Sequence, residues 1–145
     1  MTRDQLIYLE VSINASTENV WATLTQPGLI QKWMLDTPVE IHTQWHEGGK
    51  LHERGDLHGI PFENMGEIIL FNPGVALRYT HWSTLSFTAD APQNYSTLQF
   101  ELEGTNNNTH LTLTISNLVT FEIFKHLQFY WRTALHLLKD AAESL

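Results

Sequence analysis

FEIFKHLQFYWRTALHLLKDAAESL, residues 121–145, contains neither glycine nor proline and carries a regular apolar pattern. Six apolar residues recur in it at spacings of three and four, which places them on one face of a helix. They are Phe124, Leu127, Trp131, Leu135, Leu138 and Ala142. Charged residues such as Lys125 and Arg132 fall away from that face and can be solvated. The sequence therefore predicts one long amphipathic helix over Phe121–Leu145.

Most of the chain before this helix alternates between apolar and polar residues, as half-buried strands do. Two short helices are predicted after the first strand, with Ser16 or Thr17 as the N-cap of the first and an interruption at Pro27 and Gly28. The second covers Leu29–Trp33. Strands are predicted over Leu6–Ile13, Val39–Trp45, Leu51–Gly55, Phe62–Phe71, Val75–Trp82, Leu98–Leu102 and Leu111–Ile115, with loops at Gly55–Pro61 and residues 83–95.

Short connections between consecutive strands imply an antiparallel sheet, and a sheet with one apolar face needs an element to pack against it. We therefore predict an α+β fold in which a curved antiparallel sheet of about six to seven strands grips the long C-terminal helix. A chain of 145 residues fits a single domain over 1–145.

The hairpin centred on Gly48 places an acidic residue on the inward side of the sheet. In that register Leu51 faces Trp45 and Glu53 faces Thr43. A buried carboxyl there would have a raised pKa, which suits an acid/base group or a ligand anchor. We favour the alternative in which Glu53 is partly exposed near the hairpin mouth or paired with a basic residue.

The charge and composition of the chain exclude several classes of function. Eight basic against 16 acidic residues give a net charge of −8, and no basic cluster exists to bind nucleic acid or an anionic membrane surface. The absence of cysteine excludes disulfides, thiolate catalysis and Cys-based zinc sites. Without a signal-peptide core or a run of about 20 apolar residues, a cytoplasmic protein is expected.

Sequence motifs for metal binding and nucleophilic catalysis are also missing. His42 and His46 share one strand face and could chelate a metal, but this face lies opposite Ile41 and Trp45 and should point to solvent. No HExxH or GxSxG occurs, and Gly48-Gly49 belongs to a hairpin turn rather than a phosphate loop. We expect no metal, no cofactor and no catalytic nucleophile.

The ordered set of motifs resembles a known family. VSINASTENVWATLTQPGLIQKWM is similar to the opening of the START-like, polyketide-cyclase-related superfamily (SRPBCC), and within it to the branch of homologues of the activator of a heat-shock-protein ATPase (Aha-type). The resembling residues are Ala15, Val20, Trp21, Leu24, Thr25, Pro27, Trp33, Gly48, Gly49, Gly66, Pro73, Leu77, Tyr79, Thr109–Leu113, Trp131, Leu135 and Leu138. One departure is Tyr130, where the family usually has glycine; it could narrow the cavity or alter a partner-facing surface.

This resemblance implies a helix-grip fold with a cavity between the sheet and the long helix. Its members bind lipids and other apolar molecules, act on polyketides or assist a chaperone, and fold alone does not decide among these. Large rings from separate elements share the inward parity, which favours a cavity with a few polar handles over a plain core. The predicted cavity residues are Trp33, Trp45, Leu51, Glu53, Tyr79, His81, Phe100, Trp131 and Leu135.

Three functions follow from this reading. The first is binding of a small apolar or aromatic molecule, oriented by Tyr79, His81 or Glu53. The second is a protein-interaction module that acts on a chaperone or another protein. The third is an enzyme with those same three residues as acid/base groups. Trp82 on the outer sheet face leaves a monomer and a homodimer both open.

Overall fold

The computed structural model describes residues 5–145 and confirms the predicted α+β architecture. Over these residues seven strands form one antiparallel sheet in the order β1-β7-β6-β5-β4-β3-β2. The strands are β1 (Ile7–Ile13), β2 (Val39–Thr43), β3 (Lys50–Leu57), β4 (Ile60–Asn72), β5 (Ala76–Ser83), β6 (Ser96–Gly104) and β7 (Thr109–Ser116).

Three α-helices complete the fold: α1 (Thr17–Thr25), α2 (Pro27–Met34) and α3 (Phe121–Glu143). Ser16 caps α1, because its hydroxyl accepts a hydrogen bond of 3.1 Å from the Asn19 amide. The first helix ends before Pro27, as predicted, but α2 begins at Pro27 rather than at Leu29, because the fixed φ of proline suits the first helical turn. Gln26 alone separates the two short helices.

The hairpin between β2 and β3 differs in register from the prediction. Leu51 pairs with Thr43, and Glu53 pairs with Ile41. The shift arises because residues 44–49 form a longer loop, in which the Gly48 amide donates to the Ile68 carbonyl of β4 at 2.8 Å. A shift of two residues preserves the face on which each side chain lies, so Glu53 still points inward.

Residues Gly55–Pro61 form a hairpin rather than the predicted loop. β3 runs on to Leu57, β4 starts at Ile60, and only two residues join them. Both of these, His58 and Gly59, have positive φ, at 52° and 96°. This is the geometry of a two-residue hairpin turn, which glycine favours and histidine adopts only at some cost.

The segment between β5 and β6 covers part of the outer sheet face. It contains two short 3₁₀ turns, Thr84–Ser86 and Pro92–Asn94, in place of the predicted irregular loop. The indole N–H of Trp82 donates to the Thr88 hydroxyl at 3.0 Å, and its ring lies 6.4 Å from that of Tyr95. Trp82 is therefore covered by its own chain and gives no support to a homodimer.

The long helix α3 lies across the inner face of the sheet and contacts β1, α1 and α2 closely. Its predicted apolar stripe is the buried face, with Phe124 partly buried and the other five residues buried. The Thr120 hydroxyl caps its start by accepting from the Ile123 amide at 3.1 Å. The core of the domain therefore sits between α3 and the sheet.

Candidate functional site

A buried carboxyl lies on the inner face of the sheet, where β3 and β4 pair. Glu53 is only 7% exposed, and its Oε1 accepts a hydrogen bond of 3.1 Å from the side-chain amide of Asn64. The two residues are direct partners across the β3–β4 ladder. The interpretation favoured from the sequence, a partly exposed Glu53 or one paired with a basic residue, was wrong. Its neighbour is an amide, because Asn64 is the inward residue opposite it.

Three other polar side chains face the same part of the interior, and a fourth, His126, lies beside them on the exposed side of α3. Tyr79 and His81 share the inward face of β5, and both are partly buried. Tyr130 and His126 come from α3, one turn apart, with ring centroids separated by 6.3 Å. These four residues and Glu53 form a cluster that we call the polar end. Its members come from β3, β5 and the first half of α3.

The hydroxyl of Tyr130 ties α3 to α2. It donates a hydrogen bond of 2.7 Å to the carbonyl oxygen of Met34, the last residue of α2. Its ring lies 5.2 Å from that of Trp131, in an edge-to-face arrangement. The side chain at the position where the resembling family has glycine therefore turns inward, toward α2.

Burial shifts the pKa of four groups in the polar end, Glu53, Tyr79, His81 and Tyr130, toward their uncharged forms. It raises the pKa of the Glu53 carboxyl, although the hydrogen bond from Asn64 opposes that shift. It also raises the pKa of the Tyr79 and Tyr130 hydroxyls, with the charge of Glu53 adding to both. Burial, with the nearby His126, lowers the pKa of His81 to about 4. At neutral pH His81 is therefore an uncharged imidazole.

Several polar atoms of this cluster have no protein partner and yet are not sealed off. Within residues 5–145, the Thr43 hydroxyl is the one side-chain polar atom both fully buried and without a hydrogen bond. The described residues offer no hydrogen bond to Glu53 Oε2, the Tyr79 hydroxyl or the His81 ring, and none of these atoms is completely buried. Accessible polar atoms converging inside an apolar shell are a usual feature of small-molecule sites.

Aromatic rings form the wall beside the polar end. The Trp131 ring lies 5.7 Å from Trp33 and 5.5 Å from Phe100, and Phe100 stacks on Tyr79 at 6.1 Å. These rings come from α3, α2, β6 and β5, so four elements meet there. The indole N–H of Trp33 donates to the Thr23 carbonyl at 2.9 Å, which fixes that ring against α1. The wall is continuous from the polar end into the core.

All nine residues predicted to line a cavity lie on the inner side of the sheet or on α2 and α3. Trp33, Leu51, Glu53, Phe100, Trp131 and Leu135 are buried, while Trp45, Tyr79 and His81 are partly buried. Trp45 belongs to a separate aromatic group, since its ring packs on Phe71 at 5.9 Å, and Phe71 in turn contacts Trp21 at 5.4 Å. Whether these residues bind a ligand remains a prediction.

Two members of the site were not identified from the sequence. Asn64 faces Glu53 only because β3 pairs with β4 in one particular register. His126 falls on the exposed side of α3 by its position, but it stands near enough to His81 to shift the pKa of that ring. The sequence contained one signal for Asn64. It is a polar residue at an inward position of the strand that follows the strand of Glu53.

The outer side of the sheet carries other polar features. His42 and His46 are exposed, as predicted, and within residues 5–145 no group of three or more His, Asp or Glu side chains is placed to hold a metal. Two surface depressions also lie away from the polar end. They are lined by Val75, Ala76, Glu101, Leu102, Glu103, His110 and Thr112, and by Arg54, Pro61, Phe62, Glu63 and Thr84.

The chain was compared with known proteins. The model of the family "activator of Hsp90 ATPase homolog 1-like protein" matches residues 14–143. A protein of Cytophaga hutchinsonii with a known solution structure is 30% identical over 99% of this chain and 97% of its own, with a TM-score of 0.81. No curated protein matches the chain. No helix within residues 5–145 has the length and apolar character to cross a membrane.

Two more distant structures share the fold. The protein MLL2253 of Mesorhizobium loti is 21% identical over 97% of this chain and 98% of its own, with a TM-score of 0.78. The Aha1 dimer of Colwellia psychrerythraea, solved in solution, is 22% identical over 96% of each chain, with a TM-score of 0.73. Both align over nearly the whole domain.

Proposed function

The chain belongs to the family of activator of Hsp90 ATPase homolog 1-like proteins, and on that premise we propose that it binds a small apolar or aromatic molecule between the sheet and α3. One observation carries the proposal: the polar side chains of Glu53, Tyr79 and His81 face the interior on the same side of the sheet as a wall of aromatic rings. The rings would supply most of the contact area, and the polar atoms would orient the ligand.

The energetics of such a site are adequate without a cofactor. Burying about 200 Å² of ligand surface contributes on the order of 5 kcal/mol before the ordering costs of association. A hydrogen bond from the ligand to the Tyr79 hydroxyl would add about 1 kcal/mol. Together these terms come to about 6 kcal/mol, so a simple aromatic compound should bind with a Kd no tighter than about 40 μM, and more weakly once the ordering costs are included.

Binding is tested by titrating 2-naphthylmethanol, a neutral aromatic alcohol, into ¹⁵N-labelled protein. The indole N–H signals of Trp33 and Trp131 should shift and saturate, because both rings stand in the proposed site. Tyr79→Phe should weaken binding about fivefold, as expected for the loss of one hydrogen bond. Tyr8→Phe is the matched control, since Tyr8 is exposed on β1 and should leave the affinity unchanged.

The proposal fails if no indole signal moves up to the solubility limit of the ligand. It also fails if the shifts map to the outer sheet face around Glu101 and His110. If Tyr79→Phe and the wild type bound the ligand with equal affinity, the Tyr79 hydroxyl would not contact the ligand.

A second candidate is protein binding, favoured by an exposed aromatic residue on α3. Phe129 is 77% exposed, and Phe121 on the same helix is also exposed. A related structure is an Aha1 dimer, and the family name refers to activation of the Hsp90 ATPase. The partner would then be a second copy or a chaperone of that type. Sedimentation of the wild type and of Phe129→Ser tests whether the partner is a second copy. The ATPase rate of purified Hsp90 with each protein tests whether the partner is a chaperone.

A further inference from the structure

The polar end is unusual in the kind of hydrogen-bonding groups that it offers. Glu53 contributes a carboxyl oxygen without a hydrogen-bond partner among residues 5–145. The uncharged His81 ring offers one acceptor nitrogen and one N–H donor, and the Tyr79 hydroxyl can accept or donate. The distinguishing group is therefore the Glu53 carboxyl, which can carry a negative charge.

No described cation stands near enough to neutralise that carboxyl. Of the seven lysines and arginines within residues 5–145, five are exposed. The remaining two are bonded elsewhere, Lys139 to Glu143 on α3 and Arg78 to Gln99 at 2.6 Å. The groups that influence the Glu53 carboxyl are Asn64 and its neighbour His52.

Two phenol rings lie on the same inner side of the sheet as the carboxyl. Tyr79 lies on the inward face of β5 and Tyr130 reaches inward from α3, and the charge of Glu53 raises the pKa of both hydroxyls. A cation between these rings and the carboxyl would gain from both, since the ring faces attract positive charge. The combination of one buried carboxyl with several aromatic rings suits an organic ammonium group.

We propose that the interior site selects aromatic or apolar molecules with a hydrogen-bond-donating head group, above all a protonated amine, and discriminates against carboxylates. Glu53 accepts the head group, and the ring of Tyr79 lies beside it. An anionic head group would meet the carboxyl with no cation to compensate, so fatty acids and aromatic acids are disfavoured. This inference rests on the proposed function and specifies its ligand class.

Three ligands with the same ring system test this selectivity: 2-naphthylmethylamine, 2-naphthylmethanol and 2-naphthoate. Each is titrated at pH 7.5 into ¹⁵N-labelled protein, with the indole signals of Trp33 and Trp131 as the readout of the interior. The amine should bind about tenfold more tightly than the alcohol, because its hydrogen bond is charge-assisted. The carboxylate should bind most weakly of the three.

Glu53→Gln should reduce the affinity for the amine about tenfold and leave the alcohol nearly unchanged. Glutamine keeps the shape of the side chain and can still accept from Asn64, so the fold is retained. Glu63→Gln is the matched control, since Glu63 is partly exposed, bonded to His52 at 3.3 Å, and should affect no ligand. This control also separates interior binding from general attraction to a protein of charge −8.

A pH series on the wild type provides a test that needs no variant. The titratable groups around the Glu53 carboxyl are His52, Tyr79 and Tyr130, with His81 and His126 farther along the polar end. Because burial raises the pKa of this carboxyl, amine affinity should rise with pH as the proton leaves, while alcohol affinity stays nearly constant.

The outcomes separate this inference from the proposed function. If none of the three ligands moves the indole signals, both fail. If 2-naphthoate binds as tightly as the amine, or if Glu53→Gln keeps the preference for the amine, the head-group assignment is overturned and the binding function stands. A pH-independent amine affinity likewise overturns it.

Discussion

The interior of this domain has two halves that differ in what they bury. Beneath β1, β7 and β6 the inward side chains are almost all aliphatic and fully buried, as at Ile13, Leu113 and Ile115. Beneath β2, β3, β4 and β5 the inward set includes Glu53 and His81, and many of its side chains are only partly buried. We call these the apolar half and the polar half.

This difference indicates a division of roles within one fold. Burying a carboxyl without a basic partner costs free energy, as does holding an imidazole in its neutral form at acidic pH. An aliphatic residue at position 53 would avoid that cost. Polar groups that oppose stability while they converge on one accessible place are characteristic of a functional site.

The helix α3 follows the same division along its length. Its second half presents small residues such as Ala134 and Ala142, which allow close packing onto β1. Its first half presents Tyr130 and Trp131, whose large side chains reach α2 and β6. The second half of the helix therefore closes the core, and the first half lines the proposed site.

The largest expected effect is a loss of stability caused by a substitution in the apolar half. Leu138→Ala removes a fully buried side chain of the core and should lower the free energy of unfolding by about 2–5 kcal/mol. Leu137→Ala is the matched control on the same helix, because Leu137 is 44% exposed and should change stability by less than about 1 kcal/mol. Urea unfolding measures both. Equal losses would contradict the assignment of the buried face.

A pH experiment sharpens the contrast at His81. Its pKa lies at about 4 in the folded protein against 6.5 in the unfolded chain, so the unfolded state binds the proton first. Stability from this group is complete above pH 6.5 and is lost as the pH falls toward 4. The loss amounts to at most about 3 kcal/mol. His81→Gln should abolish it and unfold less readily than wild type at pH 4.5.

The control for His81 lies on the outer face of the apolar half. The His110 ring is 45% exposed, so His110→Gln measures the general effect of replacing a histidine by glutamine. Urea midpoints at four or five pH values between 7 and 4.5 give the comparison. A curve for His81→Gln that runs parallel to that of the wild type would show that this ring is solvated rather than buried.

The tie between α3 and α2 gives a smaller effect. Tyr130→Phe removes the hydroxyl that donates to the Met34 carbonyl at 2.7 Å and keeps the ring in place. The free energy of unfolding should fall by about 1 kcal/mol, the usual net contribution of one hydrogen bond. Tyr8→Phe on the exposed face of β1 should stay within about 0.5 kcal/mol of wild type in the same urea titration. Equal changes would show that the hydroxyl contributes nothing.

The alternation of residues was sufficient to predict which side chains point inward, because the period of a strand is two and a register shift of two does not alter it. Glu53 therefore faces inward even though its cross-strand partner is Ile41 rather than Thr43. The partners of Glu53 could not be predicted, since Asn64 meets it only through the β3–β4 register. The turn at His58-Gly59 was missed because histidine rarely adopts a positive φ.

Two threonines with buried hydroxyls, one in each half, give the most balanced test of the comparison. The Thr109 hydroxyl in the apolar half donates to the Ala15 carbonyl at 2.8 Å, whereas the Thr43 hydroxyl in the polar half has no partner among the described residues. Valine has nearly the same shape. Thr109→Val should cost about 1 kcal/mol, because it leaves a buried carbonyl unpaired.

Thr43→Val should be neutral or stabilising by up to about 1 kcal/mol, since it removes a buried hydroxyl that already lacks a hydrogen bond. Opposite signs for the same substitution would show that the apolar half satisfies its buried polar groups and the polar half does not. If Thr43→Val instead destabilised the protein as much as Thr109→Val, its hydroxyl would have a partner in solution. The buried polar groups of the polar half would then be hydrogen-bonded like those of the apolar half, and the two halves would not differ in this respect.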